Sequence, residues 1–138
     1  MADLTDRDAG FRGLKIVREG ATANVLAEAQ IFEVLRKLEQ HEPGRWGELR
    51  EHMDRYCAGI PTTKKQFNFE GRHPCGTHHK EIGVYALKAW QFCLYGFERS
   101  INGKQCFVAT CVDPSKKNDR ADQKKLRKAA KLAGIFLD

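Results

Sequence analysis

Gln105-Cys106-Phe107-Val108-Ala109-Thr110-Cys111-Val112-Asp113-Pro114-Ser115-Lys116-Lys117 is the stretch on which the reading of this chain turns. From Gln105 to Val112 it is rich in β-branched, aromatic and small apolar residues, the pattern of a strand. Pro114 has no N–H with which to continue a ladder, so the strand stops there and two lysines lead into a basic segment. Just upstream, Asn102-Gly103 supplies two residues that tolerate positive φ, the requirement of a type I′ turn. That turn predicts antiparallel pairing between residues 105–112 and the similar run at 91–98, and residues 82–89 predict a third strand before them. Downstream, Asp119 is a candidate helix cap, and Asp122 suits the positive end of a helix dipole. In that helix Leu126, Ala129, Ala130, Ala133 and Leu137 fall on one face, and Lys124, Arg127, Lys128 and Lys131 on the other.

Toward the N-terminus the signals are helical. Residues 13–20, with a β-branched centre between glycines, predict a short opening strand. Ala27, Ile31, Val34, Leu35 and Leu38 then recur at helical spacing and predict a helix over about residues 22–40. Pro43-Gly44 interrupts it. Trp46, Leu49, Met53 and Tyr56 mark a second helix that ends near Gly59-Ile60-Pro61. Residues 62–80 are polar, with a strand expected at 66–70 and a loop at 71–79. The expected fold class is α+β: N-terminal helices packed on a small antiparallel sheet, with a basic C-terminal helix, in one domain over residues 1–138.

A chain of 138 residues, 41% apolar, closes one hydrophobic core. No apolar run approaches the ~20 residues of a bilayer-spanning helix. Met1-Ala2-Asp3-Leu4-Thr5-Asp6 lacks the basic-then-apolar order of a signal peptide, so no membrane association and a cytoplasmic location are expected. The five cysteines form an odd set without a C-x-x-C pair, which fits buried reduced thiols. Charge is concentrated. Residues 99–131 hold 10 Lys or Arg against 3 Asp, a net +7, whereas the whole chain carries +6. A localised cationic surface on an otherwise balanced chain is the footprint of a polyanionic partner, RNA or DNA first among them.

The order of these motifs resembles the RelE/HigB-like toxins of type II toxin–antitoxin modules. The resemblance lies in Tyr85-Ala86-Leu87-Lys88, Phe92-Cys93-Leu94-Tyr95-Gly96-Phe97, Lys116-Lys117 and the Ala-rich basic segment from Asn118 to Lys131. It covers roughly residues 80–134. The chain departs from the family pattern at Gln91-Phe92, where an arginine is common, and at Ala86, where an acidic residue is usual. The resemblance implies a metal-independent mRNA endonuclease, acting on the ribosome or off it, without a cofactor and restrained by a cognate antitoxin protein.

Such cleavage needs a base to take the 2′-OH proton, an acid for the leaving 5′-oxygen, and cations to stabilise the phosphate charge. Lys88, Lys116 and Lys117 match family positions for that work. Arg99 is the expected replacement for the missing strand arginine, and His79 a candidate base that titrates near neutral pH. Lys104, Arg120, Lys124, Arg127, Lys128 and Lys131 are the expected nucleic-acid contacts. Tyr95, in mid-strand, is expected to pack.

Blander readings stand beside these. Solvated helix lysines are common, and Lys88 suits an edge strand protected from aggregation. A non-catalytic module that binds DNA or RNA is the alternative function. His73-Pro74-Cys75-Gly76-Thr77-His78-His79, which only Cys57 could join as a second thiolate, from afar, raises a third reading, a zinc-stabilised adaptor, against the plainer one of a polar loop.

Overall fold

The computed structural model describes residues 3–75, 80–115 and 121–137. Its strands are β1 (Lys15–Glu19), β2 (Ala23–Ala27), β3 (Phe67–Pro74), β4 (Glu81–Ala89), β5 (Phe92–Ile101) and β6 (Lys104–Asp113). Helices α1 (Ala29–His41) and α2 (Pro43–Ala58) stand between β2 and β3, and α3 (Gln123–Ala133) follows β6, closed by a 3-10 turn at Gly134–Phe136. The strands form one sheet in the order β1-β2-β6-β5-β4-β3.

The small antiparallel sheet expected from the sequence is therefore corrected. The sheet has six strands and is mixed, because β2 runs parallel to β6, with Ala23 opposite Gln105 and Ala27 opposite Ala109. It also begins with a hairpin, β1 against β2, before either helix. Residues 23–27 had the look of a helix start because Ala23, Val25, Leu26 and Ala27 are all buried. A strand covered on both faces shows no alternation, so periodicity cannot distinguish it from a buried helix. The helix itself begins later, where the Glu28 side chain accepts a hydrogen bond from the Gln30 N–H at 3.2 Å.

Helices cover both faces. On one, Phe32 and Leu35 of α1 and Leu49 and Met53 of α2 join Val25 and Phe107 of the sheet in one buried cluster. On the other, Leu126, Ala129 and Ala130 of α3 pack with Val84, Ala86 and Tyr95. Pro43 both ends α1 and opens α2, a position where its missing N–H costs nothing. Gly59 closes α2 in the left-handed conformation at φ 74°. The expected type I′ turn is present, with φ 53° at Asn102 and 79° at Gly103. Asp122 caps α3, accepting from the N–H groups of Lys124 and Lys125; Asp119, the expected cap, lies outside the described residues.

One irregularity lies at the centre of the sheet. Gly96 pairs with Ala109 and Tyr95 with Cys111, which leaves Thr110 as an extra residue in β6. Thr110 is buried, and its hydroxyl donates to the Ala129 carbonyl of α3 at 2.8 Å. Thr110 keeps the α3 side that Cys106 and Val108 face and ties that helix to the sheet, while the extra residue brings Cys111 to the same side beside Leu126 and Ala129.

All five cysteines are buried, and none is in a disulfide. Burial pushes the Cys57 thiol up to about 12, and burial likewise raises Cys106, Cys111 and, well above its usual range, Tyr56. A folded-state pKa above the unfolded value gives stability that is intact below the unfolded pKa and is lost above it, as the unfolded chain alone ionises. For Cys57 the window runs from about 9 to about 12. The urea midpoint at pH 10 is expected to fall below that at pH 8, and thiol titration under native conditions to be slow at both.

Candidate nucleic-acid interface

Between Gln123 and Ala133, α3 carries five Lys or Arg and no acidic residue. Lys124, Arg127, Lys128 and Lys131 are exposed and stand at helical spacing on one face, opposite the buried Leu126, Ala129, Ala130 and Ala133. This division is the one read from the sequence. It has an electrostatic cost. Like charges three and four residues apart repel, and Lys124 and Lys125 sit in the first turn, where the dipole disfavours cations. Apolar packing beneath and the Asp122 cap hold the helix against that cost.

Lys88 lies near the end of β4, opposite Cys93 of β5, which in turn lies opposite Asp113 at the end of β6. The three residues form one row across adjacent strands, about 10 Å from Lys88 to Asp113 at the usual strand spacing. The ammonium of Lys88 is largely covered. It stands 3.3 Å from the Glu70 carboxylate and donates to the Lys64 carbonyl, also at 3.3 Å. Its charge is thus partly balanced within the fold. Lys116 and Lys117 follow Asp113 by three and four residues in the sequence, and they, with His79 and Arg120, lie outside the described residues.

Arg99 and Lys104 sit at the opposite end of the sheet. Arg99 lies opposite Cys106, six positions along β5 from Cys93, which at about 3.3 Å per residue is about 20 Å. Its guanidinium donates to the Phe136 carbonyl and lies 4.9 Å from the Phe11 ring centroid, so it fastens the C-terminal turn. Lys104 donates to the Gly20 carbonyl in the β1–β2 turn. Neither side chain joins Lys88 in one site. The structure brings together the α3 cations, and separately the Lys88 end of the sheet, while Arg99 and Lys104 serve the fold.

The histidine-rich segment is only partly described. His73 stands on β3 with Nε2 3.2 Å from the Glu70 carbonyl, and Cys75 is buried with its thiol donating to the Lys80 carbonyl at 2.9 Å. His78 and His79 are outside the described residues. Cys57 lies beneath the β1–β2 turn, against Gly20, at the opposite edge of the sheet from Cys75. It is therefore not a second thiolate for that segment. Among the described residues no three His, Cys, Asp or Glu side chains are grouped to hold a metal ion.

Other residues at the Lys88 end were not singled out from the sequence. Lys64 and Lys65 are exposed on the segment before β3, and Trp90 projects from the turn between β4 and β5. A turn residue between two strands with an aromatic side chain was the available signal. On the α2 face, the Tyr56 hydroxyl donates to Glu98 at 2.6 Å, and Tyr85, raised by burial and then by the Glu98 charge, stacks on Phe67 at 5.3 Å. No helix among the described residues is long and apolar enough to cross a membrane. No family model matches this chain, and neither a curated protein nor a solved structure shows significant similarity to it.

Proposed function

We propose that this protein binds single-stranded RNA through the cationic face of α3. The observation that supports the reading is the exposed run of Lys124, Arg127, Lys128 and Lys131 with no acidic residue in the helix. Four side chains on one face match an anion that extends along the helix, and phosphate contacts of this kind give affinity without sequence readout. The test is titration of a labelled, unstructured RNA at increasing potassium chloride. Four phosphate contacts predict a log–log slope of about −3. A slope near zero, or no binding at low salt, would sink the reading.

A second reading is favoured by the row from Lys88 to Asp113, the latter three residues before Lys116 in the sequence. In it the protein cuts the RNA it binds, without a metal, as the toxin of a toxin–antitoxin pair. A cognate antitoxin would then cover the cationic surface with acidic or apolar segments. New 5′-OH ends in the same incubations, lost in Lys116→Ala/Lys117→Ala, distinguish cutting from binding. Intact RNA at saturating protein removes the enzyme and leaves the binder.

A further inference from the structure

The chain has two tryptophans, and the fold treats them oppositely. Trp46 is 3% exposed, with its indole N–H donating to Asp3. Trp90 is 69% exposed, at the tip of the two-residue turn that joins Ala89 to its partner Phe92. An indole left in water forgoes the burial that usually justifies so large an apolar side chain, and no packing role accounts for it.

Two exposed lysines stand beside it, while Glu70 partly balances Lys88. The Lys88 ammonium donates to the Lys64 carbonyl and the Lys88 N–H to the Gln66 carbonyl, at 2.9 Å for the latter, so the segment with Lys64 and Lys65 is fastened beside the strand that ends in this turn. Both of those lysines are exposed. Two strands across, β6 ends at Asp113, opposite Cys93. Gln91 holds φ 52°, a left-handed conformation that sets the turn next to the indole.

We infer that Trp90 is a stacking platform for an unpaired base of RNA whose phosphates lie on Lys64 and Lys65. The inference rests on the RNA reading above and adds a base contact at a second place on the molecule. Aromatic faces stack any base, so the contact adds affinity without strong sequence preference. It is not electrostatic, and it therefore differs from the α3 contacts in its response to salt.

The full chain and its Trp90→Ala and Trp90→Phe variants are titrated with the same labelled RNA at several salt concentrations. Intrinsic fluorescence is recorded on the full chain, and a urea midpoint is taken for each variant to establish folding. Trp90→Ala is expected to bind about tenfold more weakly, with an unchanged salt slope, and Trp90→Phe to recover much of the loss. RNA is expected to quench the fluorescence of the full chain and to leave that of Trp90→Phe, which reports the buried Trp46, nearly unchanged. Equal affinity of the full chain and Trp90→Ala, or binding without quenching, overturns this inference and leaves the α3 reading standing. A full chain that binds no RNA overturns both.

Discussion

Replacing Gly96 by alanine is expected to destabilise the protein by about 3 kcal/mol or more, or to leave it unfolded, the upper end of what overpacking costs. A Cβ at this position would lie 2.0 Å from the Val108 carbonyl oxygen, 2.7 Å from its carbon and 3.0 Å from the Ala109 Cα. All three are backbone atoms of β6, the strand in the middle of the ladder. No side chain can rotate away to relieve the contact, so β5 and β6 would have to part where Thr110 already breaks their register. Domain stabilities of roughly 5–15 kcal/mol leave little margin for that. Gly47→Ala is the internal comparison. It lies within α2, with open space around its Cβ and no positive φ, and alanine there is expected to stabilise by about 0.5–1 kcal/mol. Urea unfolding followed by far-ultraviolet circular dichroism measures both, and a folded Gly96→Ala with an unchanged midpoint would show that the sheet is not built this way.

The second large effect concerns Lys124, Arg127, Lys128 and Lys131 changed together to alanine. RNA affinity at 0.1 M salt is expected to fall by about two to three orders of magnitude, since four single-strand phosphate contacts contribute about 0.7 each to the salt slope. The slope itself should collapse by the same amount. Stability should move the other way. Removing like charges three and four residues apart, and placing a strong helix former at exposed positions, is expected to raise the melting temperature by about 3 °C. Loss of binding with gain of stability would identify a surface kept for its partner at the expense of the fold. Unchanged RNA affinity would reduce these four residues to an ordinary solvated face.

The strands of the second half were legible because each is marked locally. Asn102-Gly103 announces its turn through residue chemistry, and Pro114 ends β6 within one residue of Asp113. The α3 faces were legible because Leu126, Ala129 and Ala130 keep strict helical spacing. Residues 23–27 were not, since a strand packed on both sides carries no period, and its true partner, β6, is remote in the chain. The site fared similarly. Exposed charge on a helix follows from spacing, so the α3 cations were found. Whether Arg99 and Lys88 share a site depends on which end of a strand each occupies and on partners such as Phe136 and Glu70, which only tertiary structure supplies.

The parallel pairing of β2 with β6 also sets an order of events. Ala23 cannot meet Gln105 until β6 has been made, and every turn of α1 and α2 is synthesised in the interval. Contacts so distant along the polymer slow folding, because a long loop must close before it is rewarded. The opening hairpin therefore waits, with one border unfilled, for the last strand to arrive and complete it. A nascent chain halted before residue 104 is expected to remain protease-sensitive, and acquisition of resistance should coincide with emergence of the final strand.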